Sequence, residues 1–269
     1  MNKRLNKVFM SAVLATGLSA CSTYQSGEPV RIDSDITLRD SNRVIQDFNR
    51  AERARTGGAN DNDPSVINVT INSRGGNVRD GFRIINEIQN SQSQVHLKCE
   101  GQASSMAAII LITATGQNRD AEEDCTIMIH QSYYKVRDPN NPRLNIARTL
   151  YEALLPQYQI ARNDPNIRKV VIQQPGEPPY ELSRGRLIKW VEQLAQDRKI
   201  FKERLAATTH LNIYDIEKLL RNGDNYFSAE EAVFAGMIDT IDGRDPNRSQ
   251  IKQGQRSFCN IYRDLSLCS

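Results

Sequence analysis

The chain has 269 residues, 39% of them hydrophobic and 25% charged, with a net charge of +3. That length suits one α/β domain, with or without an insertion, and can bury a sizeable core. Lys3, Arg4 and Lys7 together equal the net charge, so the rest of the chain is near neutral and carries no electrostatic footprint for nucleic acid.

Met1–Lys7 holds those cations and no acid, and Val8–Leu18 is an apolar run with small residues. The run is too short for a permanent membrane helix, which needs about 20 apolar residues. The layout is that of a secretory signal. Leu18-Ser19-Ala20-Cys21 resembles a bacterial lipoprotein lipobox. This implies cleavage before Cys21, lipidation of its thiol and a lipid-anchored, periplasm-facing place in the cell envelope. An ordinary signal peptide with an incidental cysteine is the alternative. Ser22, where an Asp would signal retention, favours the outer membrane. No second apolar stretch is long enough to span a bilayer. Residues 1–20 are therefore expected to be a signal peptide and 21–29 a tether. Residues 30–245 are expected to form one domain with an insertion at about 137–183, and 246–269 a C-terminal tail.

Val30 to Leu38 reads as a short strand and turn. Ser41 to Arg55 carries Val44, Ile45, Phe48 and Ala51 at helical spacing. Thr56 to Pro64 is a loop by its turn residues. Val66 to Ile71 is rich in β-formers, and Asn72-Ser73-Arg74-Gly75-Gly76 is a turn. Val78 to Ile88 places Val78, Phe82, Ile85 and Ile88 on one helical face. Val95 to Cys99 is a second strand and Gly101 to Ala103 a turn. Ser104 to Thr115 is apolar nearly all round, which predicts a buried helix. Thr126 to Ile129 is a third strand. Strand–helix–strand–helix–strand with short connections implies parallel strands and right-handed crossovers.

Arg137 to Arg143 breaks this pattern. Leu144 to Ile160 reads as a helix, Val170 to Ile172 as a brief strand, and Gln174 to Pro179 as a Pro-rich break. Arg186 to Ala207 is a long polar helix. Asn212 to Leu220 is another helix, with Asn212 a candidate cap. Ser228-Ala229-Glu230-Glu231 is a capped helix start, and Gly236 to Ile241 returns as a strand.

Export would leave Cys99, Cys125, Cys259 and Cys268 in an oxidising compartment, an even number with three possible pairings. Cys259–Cys268 closes a short loop and Cys99–Cys125 joins two predicted strands, so that pairing is favoured, though sequence alone fixes neither bond. No CxxC or His/Cys cluster suggests a metal, and no cofactor is expected.

In open parallel sheets, ligands bind beyond the carboxyl ends of the strands. Gly76 follows the first strand of the repeating unit, Ser105 the second and His130 the third. Gly75-Gly76 permits a tight turn whose N–H can serve an oxyanion. Ser105 falls in the first turn of the predicted helix, where unpaired N–H groups favour negative charge, and the N–H of Met106 is the natural second donor. His130, with an ordinary pKa of about 6.5, suits removal of a serine proton. A carboxylate must orient the imidazole, and local logic does not choose it. A capping serine, a common Gly-Gly turn and a structural histidine are the bland alternatives; three such residues at consecutive strand ends outweigh them.

Ile71-Asn72-Ser73-Arg74-Gly75-Gly76, Gly101-Gln102-Ala103-Ser104-Ser105-Met106, Met128-Ile129-His130-Gln131 and Asp224-Asn225-Tyr226-Phe227-Ser228-Ala229-Glu230-Glu231-Ala232 together resemble the proteolytic subunit of Clp protease. The likeness covers about 30–135 and 185–242. It implies an α/β fold of the ClpP/crotonase type: a spiral of ββα units with a mostly parallel sheet and an extended handle helix. It implies Ser105 as nucleophile, His130 as general base, Asp224 as its orienting partner, and the N–H groups of Gly76 and Met106 as oxyanion hole. The helix at about 186–207 matches the handle, which implies a homo-oligomer. Arg74 stands where the family usually has Pro, and the insertion after His130 is a further departure. Export separates the chain from ATP and from an unfoldase partner. The expected activity is therefore ATP-independent hydrolysis of peptides or unfolded envelope proteins. A catalytically weak binding or assembly lipoprotein and an acyl-CoA enzyme are the competing readings.

Overall fold

The computed structural model describes residues 28–56, 66–113, 118–130, 133–137, 145–172, 180–221 and 223–268. The leader, Cys21, most of the tether, and nearly all of the loop at 56–64, the break at 137–143 and the Pro-rich run at 174–179 lie outside them.

In chain order the elements are β1 (Val30–Ile32), α1 (Leu38–Thr56), β2 (Val66–Ser73), α2 (Val78–Asn90), β3 (Gln94–Ser104), α3 (Met106–Thr113), β4 (Asn118–Ala121) and β5 (Thr126–Ile129). Then come β6 (Tyr133–Arg137), β7 (Asn145–Thr149), α4 (Leu150–Asn163), β8 (Lys169–Ile172), β9 (Tyr180–Ser183) and α5 (Arg184–Thr208). The chain continues through α6 (Ile213–Arg221), β10 (Asn225–Phe227), α7 (Ala229–Phe234), β11 (Thr240–Ile241) and α8 (Arg248–Ile261).

The fold is α/β with a mostly parallel sheet, as the sequence implies. Strand order is β1-β2-β3-β4-β11, with β5 extending from β3 and β10 pairing β5. Among the described residues only β10 runs antiparallel in this sheet. β2 buries Ile67, Val69, Thr70, Ile71 and Ser73 and exposes Asn68 and Asn72, so both faces of the strand are covered only over Val69–Ile71.

β3 is the pivotal element. Its first half pairs β2 and β4 up to Cys99, and Gln102–Ser104 then pair β5. The sequence predicts a turn at Gly101–Ala103, but the strand continues through it. Gly101 adopts φ +83°, which lets the strand bend and change neighbours. The register with β2 slips between Ile71 and Ser73 at the same level.

α3 is buried at every position from Met106 to Thr113. Its four consecutive branched residues, Ile109 to Ile112, each contribute roughly 1.5–3 kcal/mol by burial. On α2 the buried residues are Asp80, Gly81, Ile84, Ile85 and Ile88, and Val78 and Phe82 pack partly buried against the same core. Gly81 packs against Met106 so closely that an added Cβ would lie 2.2 Å from its Cγ. Phe82 packs partly buried against the core and also lies under the Arg204 guanidinium at 5.3 Å.

The predicted helix from Leu144 begins at Leu150, because Asn145–Thr149 pair with Tyr133–Arg137 as an antiparallel ribbon. β8 likewise acquires β9 as a partner. Asn212 caps α6, its Oδ1 accepting from Asp215 N at 2.9 Å. Ser228 and Glu231 form a reciprocal capping box on α7. In the C-terminal segment at 246–269, α8 packs on α7 and buries Phe258 in the main core. Cys99 is bonded to Cys125 and Cys259 to Cys268, the favoured pairing.

Candidate active site

Ser105 stands at the sharp turn from β3 into α3. Among the described residues it is one of two non-glycine residues with positive φ, at 55°, a conformation that costs on the order of 1–3 kcal/mol outside glycine. It therefore precedes the helix instead of lying in its first turn. Two bonds hold it there. Ser105 N–H donates to Met128 O at 2.7 Å, and Ile109 N–H donates to Ser105 O at 3.2 Å. The first continues the β3–β5 ladder, so the strand leading to His130 also fixes Ser105.

His130 follows β5. Its Nε2 lies 2.8 Å from Ser105 Oγ, and its Nδ1 lies 3.4 Å from Asp224 Oδ1. The Ser105 hydroxyl donates to Nε2 when Nδ1 carries the imidazole proton, the tautomer that a neighbouring carboxylate selects. Burial pushes the His130 pKa below 6.5, against an upward pull from Asp224. The imidazole is thus held neutral and ready to accept a proton.

Asp224 arrives by a different route. β10 pairs β5 with Asn225 opposite Ile129 and Tyr226 opposite Met128. One further step of that antiparallel register sets Asp224 opposite His130. The residue order alone could not yield this, because the pairing spans the insertion, α5 and α6.

Gly75 and Gly76 form the facing wall. Gly75 has φ +92° and Gly76 φ +151°. A Cβ on Gly75 would lie 2.4 Å from Ser104 O, 2.7 Å from Met106 N and 2.8 Å from Ser105 Cβ. Only glycine allows this approach. Ile36 N–H donates to Gly75 O at 2.8 Å, and Asn77 N–H donates to Ile36 O at 2.7 Å. The Gly75 carbonyl and the Gly76 N–H belong to one trans peptide, so the Gly76 N–H points away from Ile36. Met106 opens α3, and its N–H has no acceptor within the helix. Met106 adjoins Ser105 in the chain, and Gly76 lines the same cleft as Ser105.

Gly75, Gly76, Ser105 and His130 line an open cleft of about 890 Å³ together with Ile36, Thr37, Leu38, Asn77 and Met128. Asp35, Arg74 and Asp80 supply its charge. Arg74, the residue in place of the usual Pro, pairs with Asp35 at 3.2 Å, and both are well exposed. Sequence reasoning missed Asp35, Leu38 and Asp80 as cleft residues, since nothing local marks them. Among the described residues no cluster of three or more His, Cys, Asp or Glu could hold a metal ion, and no helix is long and apolar enough to cross a membrane.

Residues 33–150 match the Clp protease family. That stretch includes Gly76, Ser105, Met106 and His130 and ends before Asp224, whose placement rests on the β5–β10 register. The chain is 32% identical over 100 residues to ATP-dependent Clp protease proteolytic subunit 1 of Prochlorococcus marinus strain MIT 9312, covering 37% of this chain and 48% of the relative. It is 34% identical over 105 residues to the same subunit of strain NATL2A, covering 39% and 47%. Proteolytic subunit 2 of Synechococcus sp. strain CC9605 is 42% identical over 65 residues, covering 24% and 33%. The chain spans about half the length of the first two relatives.

Proposed function

We propose that this chain is a serine peptidase with Ser105 as nucleophile, His130 as general base and Asp224 as its orienting carboxylate. The observation that carries the reading is the 2.8 Å contact between His130 Nε2 and Ser105 Oγ at the mouth of an open cleft. Ser105 Oγ attacks the peptide carbonyl carbon as its proton passes to His130 Nε2. The resulting oxyanion is held by the N–H groups of Gly76 and Met106. The C–N bond breaks, the amine leaves with the proton from His130, and a water that His130 deprotonates frees the acyl group and restores Ser105.

The relatives are named as subunits of an ATP-dependent protease. The signal-like leader and Cys21 support a different setting here. The chain is lipid-anchored, faces the periplasm, and cleaves peptides or unfolded envelope proteins without ATP or an ATPase partner. Assembly of identical subunits through α5 belongs to the same proposal.

Reaction with a fluorophosphonate probe tests the chemistry. Folded protein should label at Ser105, and Ser105→Ala should abolish both labelling and peptide cleavage. Absence of labelling, with Ser105→Ala equal to wild type on peptides, would sink the proposal.

A further inference from the structure

Asn225 is almost fully buried between the two residues of the candidate site that come from distant parts of the chain. Its Nδ2 faces three carbonyls: Leu219 O and Gly223 O, each at 2.9 Å, and Ile129 O at 3.4 Å. Three acceptors around one atom fix the amide orientation, since the Oδ1 side could not face them. Each acceptor has a meaning. Leu219 O lies near the C-terminal end of α6, where carbonyls lack intrahelical partners. Gly223, at φ +91°, makes the turn immediately before Asp224. Ile129 is the residue immediately before His130. One side chain therefore reaches the backbone on both sides of the His130–Asp224 pair.

We infer that Asn225 is a positioning residue, whose amide holds the turn carrying Asp224 against the end of β5 carrying His130. The inference rests on the triad reading of Ser105, His130 and Asp224. The backbone pairing alone is short: β10 has three residues, and Asp224 lies just beyond it. The carboxylate–imidazole distance of 3.4 Å leaves little room for drift before the orienting interaction is lost. Without the amide, Leu219 and Gly223 lose their tie to Ile129 at the end of β5.

A buried asparagine that only stabilises the fold would lower thermal stability and leave His130 unaffected. The test therefore reads His130 directly, by NMR titration of its imidazole in the full chain. The four proteins are wild type, Asn225→Ala, Asp224→Ala and the double variant. Asp224→Ala should lower the His130 pKa, because the carboxylate stabilises the imidazolium. Asn225→Ala should lower it in the same direction, and should add no further change in the Asp224→Ala background. Asp35, Arg74 and Asp80 line the same cleft and are common to all four proteins, so their influence cancels in the comparison.

The rate of Ser105 labelling should fall about tenfold to a hundredfold in Asn225→Ala, part of the 10²–10⁴ that a positioned base supplies. It should fall no further in the double variant than in Asp224→Ala. Asn225→Ser, which keeps one donor, should lie between wild type and Asn225→Ala and serves if the alanine variant does not fold. An unchanged His130 pKa in folded Asn225→Ala or Asn225→Ser, or an equal extra loss in the Asp224→Ala background, overturns the inference. If His130 responds as expected but wild-type Ser105 never labels, the peptidase reading fails and the positioning role stands.

Discussion

Gly75→Ala probes the wall that faces Ser105. The new Cβ would meet Ser104 O at 2.4 Å, Met106 N at 2.7 Å and Ser105 Cβ at 2.8 Å. Two of these contacts are backbone atoms that cannot rotate away. The φ of +92° adds a left-handed cost of about 1–2 kcal/mol for a residue with a side chain. Overpacking of this kind costs about 1–3 kcal/mol. The total, roughly 2–5 kcal/mol, should lower Tm by about 4–20 °C for a domain of this size. The chemical effect should be larger in proportion. Relief of the clash must shift Met106 N or Ser105, and loss of one aligned oxyanion donor costs about 10²–10³ in rate. The assay is the rate of fluorophosphonate labelling at a temperature where both proteins are folded, set beside a thermal melt. Gly243→Ala is the matched control. Gly243 has φ +69°, but nothing lies within 4 Å of its added Cβ. It should pay the backbone cost and label at the wild-type rate. Wild-type labelling by folded Gly75→Ala, or an equal loss in Gly243→Ala, would refute the reasoning.

Three further expectations follow from the same geometry. The acidic limb of Ser105 acylation should fall below pH 6.5, since burial lowers the His130 pKa, and Asp224→Asn should move it lower still while slowing the reaction; a pH–rate profile of labelling measures both. Arg119→Ala should destabilise by about 2–4 kcal/mol in a chemical melt. Arg119 holds both Asp239 oxygens at 2.6 and 3.0 Å and donates to Ile112 O and Thr208 O at the ends of α3 and α5. Arg119→Lys should restore only part, because one ammonium cannot reproduce that fork. Removing Cys99–Cys125, with a sequence separation of 26, should cost about 3.5 kcal/mol. Removing Cys259–Cys268, with a separation of 9, should cost about 2.6 kcal/mol. Urea melts of the two double-alanine variants check the order.

The site divides into parts that local sequence could and could not reveal. Gly76, Ser105 and His130 follow strands that a period-two or apolar pattern marks clearly, and parallel topology then carries them to one edge. Ser105 illustrates the limit. Its run of small and apolar neighbours predicts a helix, but the left-handed turn before that helix depends on Gly75 leaving space and on Met128 accepting its N–H. Neither partner is local. Gly101 looked like a turn residue and is instead a bend inside β3. A single glycine signals bending without saying whether pairing resumes beyond it. The short strands β4, β6, β7 and β9 carry too few apolar residues to stand out, and they are strands because a partner lies beside them. Asp224 was legible only through the resemblance to the Clp protease subunit. Its physical basis is the pairing of β10 with β5, which no periodicity within either segment encodes.

α5 shows how the described part of the insertion joins the fold. Near its start, Leu187 and Val191 pack with Leu154, Ala161 and Ile172 in a small separate cluster, flanked by Trp190 and Leu194. Near its end, Leu205 enters the main core, with Phe201 and Ala206 against it. One 25-residue helix thus serves two cores on successive stretches. That explains why its sequence shows no single strong apolar stripe: a stripe aimed at one core throughout would be wrong for the other. The two clusters share no residue. The strands β3, β5 and β10, which hold Ser105, His130 and Asp224, draw their packing from the main one. Among the described residues, the insertion therefore packs on the first part of α5, and the strands that lead into the cleft pack in the main core.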